Sequence, residues 1–182
     1  MGTVEAVKTT EQIAAIKGLL NSYSNSDLYS DIWTFGLNTA LRISDLLKIE
    51  YANINGNSIS LREGKTGKQR EITLNNSAME VISRRQATNP DDIYLFQVHS
   101  NRSSGKPVSR EAVARMFKEV GDTLKIKLGT HSMRKTRGYA MYKGGARIEL
   151  IAKVLNHSST ASTLRYIGIE KEDVQNTYEL EL

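Results

Sequence analysis

Between Ser58 and Leu74 the chain changes its hydrophobic period, and that change narrows the folds open to it. Ser58-Ile59-Ser60-Leu61 and Glu71-Ile72-Thr73-Leu74 alternate polar and apolar residues, the two-residue period of half-buried strands. Between them Gly64-Lys65-Thr66-Gly67-Lys68 has the glycines of a hairpin turn, and Asn55-Gly56 marks an earlier turn. A small three-stranded antiparallel sheet is the expected result. Elsewhere the period is helical. Thr10-Glu11 precedes Ile13, Ile16, Leu19 and Leu20. Asp27, read as a cap, precedes Leu28, Ile32, Phe35 and Leu37, with Trp33 adding bulk. Ser44-Asp45 starts a short helix through Leu46, Leu47 and Ile49.

The helical reading resumes from Ser77 through Met79, Val81 and Ile82 and breaks at Asn89-Pro90. The stretch up to Pro107 reads as loop apart from apolar Ile93-Tyr94-Leu95-Phe96. Ser109 opens a helix with Val113, Met116, Phe117 and Val120 on one face. His131 to Tyr142 reads as another, ended by Gly144-Gly145. Ile148, Ile151, Ala152 and Leu155, at i, i+3, i+4 and i+7, form an amphipathic helix that leads to His157. Neither a repeat nor a linker divides the chain. The expected class is α+β: one mainly helical domain, residues 1–182, with a single small sheet.

The 182 residues suffice for one substantial core. No apolar run approaches the roughly 18 residues of a membrane span, and no signal-peptide pattern opens the chain. A cytoplasmic location is expected. The absence of cysteine rules out disulfides and Cys-ligated zinc, and three histidines without an H-E-x-x-H pattern leave little for a metal site. The net charge of +5 points to a polyanionic partner, because the charge is segregated. Arg62, Lys65, Lys68 and Arg70 crowd one segment, and Arg134, Lys135, Arg137, Lys143 and Arg147 another. The acids gather at Asp91-Asp92 and in the tail at Glu170, Glu172, Asp173, Glu179 and Glu181. Segregated charge of this kind favours a basic face over an evenly solvated surface.

Six residues are spaced as one phosphoryl-transfer site: Arg42, Lys65, His131, Arg134, His157 and Tyr166. They supply two guanidiniums, an ammonium, two imidazoles and a phenol. Such groups can hold a phosphodiester, neutralise its developing charge and attack it with a phenolate. His131 and Arg134, three residues apart, share a face if helical. Asp45 reads as a cap or as a carboxylate orienting Arg42, not as a catalytic acid. Tyr139 and Tyr142 read as packing residues, and Tyr178 lies in an acidic tail, a poor place for a phosphate. His99, in a polar loop, fits no role.

The strings Leu41-Arg42-Ile43-Ser44-Asp45, Gly64-Lys65-Thr66-Gly67-Lys68, Thr130-His131-Ser132-Met133-Arg134, Leu155-Asn156-His157-Ser158-Ser159 and Leu164-Arg165-Tyr166 resemble the catalytic domain of the tyrosine recombinases, the phage-integrase family. The resemblance runs from about Asp27 to Tyr166. It implies that Tyr166 attacks the scissile phosphate, leaving a 3′-phosphotyrosyl link and a free 5′-hydroxyl. It further implies that Arg42 and Arg134 grip the non-bridging oxygens and that Lys65 protonates the departing 5′-oxygen. His131 would accept a proton or orient the phenol, and His157 would donate a hydrogen bond to phosphate. No metal, ATP or other cofactor is then required.

Two positions depart from the family pattern. Asn156 stands where glycine is usual, and its tolerance of left-handed backbone angles allows the turn to survive. Arg165 stands where an apolar residue usually precedes the tyrosine. The N-terminal DNA-binding domain usual in the family has no counterpart in the roughly 26 residues before the match, so an excised catalytic domain or a minimal member is expected. The resemblance also implies double-stranded DNA as the partner, with Lys68, Arg70, Lys135 and Arg137 contacting it, a tetramer on DNA and a monomer alone, and a tail, 167–182, that docks on a neighbouring protomer or folds back in cis when the chain is alone. The alternatives are a type IB topoisomerase-like enzyme that religates the same strand, and an inactive DNA-binding module of the same fold.

Overall fold

The computed structural model describes residues 4–24, 26–99, 105–169 and Tyr178. Its helices are α1 (Thr10–Ser24), α2 (Leu28–Thr39), α3 (Ile43–Leu46), α4 (Asn76–Thr88), α5 (Arg110–Leu124), α6 (Ser132–Lys143), α7 (Ile148–Val154) and α8 (Thr160–Ile167). The strands are β1 (Ile54–Asn55), β2 (Ser58–Arg62), β3 (Gln69–Thr73), β4 (Gln97–Val98) and β5 (Lys106–Pro107). The α+β class expected from the sequence is what the chain adopts.

The centre of the molecule is α2. A helix flanked by partners on several sides must be apolar on several sides, and α2 buries Ile32, Trp33, Phe35 and Gly36 together. It packs against α1, α4 and α6. Edge-to-face aromatic pairs tie it to the rest: Trp33 meets Phe117 of α5 at 5.7 Å, and Phe35 meets Phe96 at 5.6 Å. Buried Asp31 on the same helix is bonded by Arg84 and Arg85 of α4, so this buried carboxylate is paired.

Gly36 sets how close α6 can come. A Cβ there would stand 2.2 Å from the sulfur of Met133, so only glycine permits this crossing. The neighbour of Met133 is Arg134. The close crossing therefore brings Arg134 to the C-terminal end of α2, where Ala40 ends the helix in the left-handed conformation with φ of 52°.

The sheet has the order β1-β2-β3 and is antiparallel throughout, with Ile59 opposite Ile72 and Leu61 opposite Arg70. Ile59 is buried while Ser60 is exposed, as the alternation requires. The turn between β2 and β3 closes on the backbone of Glu63 and Lys68, and Gly67 takes a φ of 67°.

Two local expectations are revised, and one helix is added that the sequence pattern did not mark. Asp27 occupies the position before α2, but its side chain makes no capping bond, because its own backbone is already helical. The stretch before Pro107 is not all loop, since β4 and β5 pair there, and Tyr94 bridges to Glu50. The segment after His157 forms a further helix, α8, capped by Ser159, whose hydroxyl accepts from the backbone of Ser162. Ser109 caps α5 as expected. The tail from 170 onward, Tyr178 excepted, lies outside the described residues.

Candidate active site

Arg42, Lys65, His131, Arg134, His157 and Tyr166 line one cleft of about 480 Å³, together with Lys68 and Asn156. Five separate segments deliver them. Arg42 stands at the start of α3, in extended conformation just beyond the end of α2. Lys65 is exposed on the β2–β3 turn. His131 immediately precedes α6, and Arg134 lies one turn inside it. His157 follows α7, and Tyr166 sits on α8.

Arg134 is the most enclosed of the six, with 2% of its surface exposed. It donates to the carbonyl of Ala40 at the end of α2 and, at 2.5 Å, to that of Leu155 at the end of α7. Both carbonyls are helix C-terminal groups without an intrahelical partner, so the guanidinium satisfies two helix ends at once. Its five N–H donors leave three for a ligand. Arg42 is held differently, by a 2.6 Å bond to Glu63.

Glu63 is the functional residue that sequence reading missed. It is 1% exposed, accepts from Arg42, Arg70, Asn156 and Thr66, and so ties α3, β3, the His157 loop and the hairpin into one network. Burial alone would raise its pKa. The bonds from Arg70, Asn156, Arg42 and Thr66 outweigh that and hold it at about 2. Asp45, read from the sequence as a partner for Arg42, instead accepts from the backbone N–H of Gly64 at 3.0 Å and steadies the hairpin. A signal for Glu63 was present only as an acid beside the glycine that opens the hairpin.

Tyr166 is enclosed on three sides. Nδ1 of His131 lies 3.1 Å from its hydroxyl. The His157 ring stands edge-to-face against it at 4.7 Å. The ammonium of Lys135 lies over the ring, 5.3 Å from its centre. Burial pushes the pKa of the phenol up, while the positive charges of Arg134 and Arg42 pull it back. Desolvation also lowers His131, with Arg134 adding to the effect, and it brings His157 down to about 4 with help from Arg134, Arg42 and Lys65. Both imidazoles are therefore neutral at pH 7 in the free protein.

The tautomer of His157 follows from its neighbour. Thr163 donates its hydroxyl proton to the carbonyl of Ser159, so its oxygen accepts from Nδ1 of His157 at 3.2 Å. The remaining nitrogen, Nε2, then carries a lone pair. It can donate only after taking up a proton.

The four residues read as backbone contacts for DNA divide. Lys68 is exposed at the rim of the cleft, and Arg137 is half-exposed on α6. Arg70 is engaged inside the protein, with Glu63 at 2.8 Å and the carbonyl of Val154 at 2.6 Å. Lys135 is buried and donates to the carbonyl of Val4 at 2.8 Å. Asn156 takes a φ of 49°, the left-handed turn that glycine usually makes, and its side chain reaches Glu63 at 2.5 Å. Arg165 is exposed. Among the described residues no three His, Cys, Asp or Glu side chains are grouped to hold a metal ion, and no helix is long and apolar enough to cross a membrane.

The profile of the Phage integrase family matches residues 9–173. A Bacillus subtilis (strain 168) protein named "Probable integrase/recombinase YoeC" is 32% identical over 182 residues, 99% of this chain and 98% of that protein. Tyrosine recombinase XerA of Pyrococcus furiosus is 32% identical over 144 residues, which cover 78% of this chain and 50% of XerA. A crystal structure of a lambda integrase dimer bound to a COC' core site superposes with a TM-score of 0.72 at 17% identity, covering 93% of this chain and 51% of that one. This chain thus spans nearly the full length of the first relative and about half the length of the other two proteins.

Proposed function

The chain belongs to the phage integrase family, and from that membership and the geometry of its cleft we propose that it is the catalytic domain of a site-specific tyrosine recombinase acting on double-stranded DNA. The observation that carries the proposal is the Tyr166 hydroxyl, 3.1 Å from an imidazole nitrogen and beside two guanidiniums from distant segments. Tyr166 Oη attacks the phosphorus as its proton passes to His131. The bond from phosphorus to the 5′-oxygen breaks, and Lys65 supplies the proton that oxygen needs to leave as a hydroxyl. Arg42 and Arg134 take the charge that builds on the non-bridging oxygens, where paired guanidinium donors match phosphate geometry.

The phosphotyrosyl ester keeps the energy of the broken linkage, so attack by a 5′-hydroxyl from a second duplex completes strand exchange without ATP. Fixed cations do the charge work that a metal does elsewhere. Religation of the same strand is not favoured, because the relatives are named as integrases and recombinases. On DNA the active assembly is a tetramer in which the tail, residues 167–182, docks on a neighbouring protomer. The free chain is a monomer. The N-terminal DNA-binding domain that the family usually carries would contribute the rest of the grip on the duplex.

The test is covalent capture. The chain is incubated with a pool of nicked duplexes of randomised core sequence, and protein–DNA adducts surviving detergent are isolated and mapped by peptide mass. An adduct at Tyr166, lost in Tyr166→Phe with DNA affinity retained, is the expected result. An adduct that persists in that variant, or that maps to Tyr178, would overturn the assignment.

A further inference from the structure

We propose that Lys135 is a positioning residue for the nucleophile, coupling the Tyr166 ring to an N-terminal strap formed by residues 4–8. This rests on the reading of Tyr166 as nucleophile. The strap precedes α1 and crosses the underside of α6. It is held at several points: the backbone N–H of Glu5 donates to the carbonyl of Lys127 at 2.9 Å, and that of Val7 donates to the Thr136 hydroxyl at 2.8 Å. Val4 packs on Gly129, where a Cβ would stand 2.6 Å from its Cγ1.

Lys135 connects this strap to the site. Its carbon stem is buried, and its ammonium donates to the Val4 carbonyl at 2.8 Å while lying 5.3 Å from the centre of the Tyr166 ring. A lysine left to itself would turn its strongly hydrated ammonium to water. Here the strap carbonyl fixes it over an aromatic face. A cation there attracts the ring, and it attracts the phenolate more than the phenol. The groups facing the phenol are then Arg134, Arg42, His131, His157 and Lys135, and the acid felt by Lys135 is Glu5. The ring is gripped by Lys135 on one side and His157 on another, so displacing the strap changes where the hydroxyl points.

The experiment follows Tyr166 directly, without DNA. The chain carries tyrosines ¹³C-labelled at Cζ, with the Tyr166 signal assigned through Tyr166→Phe, and the titration is compared across variants. Lys135→Gln keeps a donor for the Val4 carbonyl but removes the charge; Lys135→Arg keeps both. The Tyr166 pKa is expected to rise in Lys135→Gln and return in Lys135→Arg. Adduct formation should fall roughly two- to thirtyfold in the first variant and largely recover in the second.

Gly129→Ala, which displaces the strap, should slow adduct formation in the native background and have no further effect in Lys135→Gln. An unchanged Tyr166 titration in Lys135→Gln, or no recovery with arginine, would overturn the proposal. So would a loss of about one unit in the salt slope of DNA binding, which would make Lys135 a phosphate contact. Failure of the recombinase reading is seen separately, as no Tyr166 adduct in the unaltered chain.

Discussion

The carboxylate of Glu63 and the guanidinium of Arg42, twenty-one residues apart in the chain, meet at 2.6 Å with 1% and 14% of their side chains exposed. A buried carboxylate with four donors is secured by them, and it secures them in turn. In the proposed mechanism, the direction in which Arg42 presents its remaining N–H groups to the phosphate is then set by this acid.

Removing that charge should be felt in stability as well as in rate. Glu63→Gln leaves Arg42 and Arg70 facing an uncharged amide, and a loss of about 3 kcal/mol is expected at pH 7. Because the folded carboxylate titrates at about 2 rather than 4.5, its contribution is full above pH 4.5 and disappears as the pH falls toward 2. Urea unfolding across that window should show the native chain losing stability more steeply than the variant; parallel curves would refute the network.

Lys65 is exposed on a hairpin whose base is steadied by Glu63 and Asp45. Lys65→Ala should slow strand cleavage by roughly two to four decades, the range of general acid catalysis. Substituting sulfur for the leaving 5′-oxygen should restore most of that rate, since a thiolate departs without a proton. Absence of such rescue would reduce Lys65 to a DNA contact.

His157 should take up a proton when phosphate binds. Free, it is neutral down to about pH 4 with its proton on Nδ1, so donation from Nε2 requires a second one. DNA affinity should therefore rise as the pH is lowered from 6.5 toward 4, by more in the native chain than in His157→Gln. Over the same range the fold loses stability, because the unfolded imidazole binds a proton that the folded one refuses. Nitrogen-15 chemical shifts of the ring report both states, and equal pH dependence in the two chains would dismiss the idea.

Gly138 of α6 lies against α7 and α8, and a Cβ there would stand 2.6 Å from Ile167 Cγ2 and 3.0 Å from Leu155 Cδ1. Gly138→Ala should destabilise the chain by about 1–3 kcal/mol through overpacking, and slow adduct formation by displacing α8. Gly18 in α1 is the contrast, with nothing within 4 Å of its added methyl. Gly18→Ala should stabilise by about 0.5–1 kcal/mol. Thermal melts of the two variants should move in opposite directions.

The sequence by itself determined the sheet, most of the helices and the membership of the cleft. Alternation at Ser58–Leu61 and Glu71–Leu74 marked strands because one buried face imposes a period of two. The order Arg42, Lys65, His131, Arg134, His157, Tyr166 marked six residues that the fold brings to one cleft. Local signals failed where elements are short. The two-residue strands β4 and β5 have no period to read, and α8 has only eight residues, too few turns to establish a period, with Ser159 as its one clear mark.

Tertiary structure decided which charges pair. Along the chain, Asp45 lies nearer to Arg42 than Glu63 does, yet Glu63 is the one that reaches the guanidinium, because the β2–β3 turn folds back over the start of α3. Arg70 and Lys135 read as surface cations in the sequence, but the fold encloses both against carbonyls, Glu63 and the Tyr166 ring. An ion pair depends on distance and on the removal of water, and both are fixed by how distant segments cross.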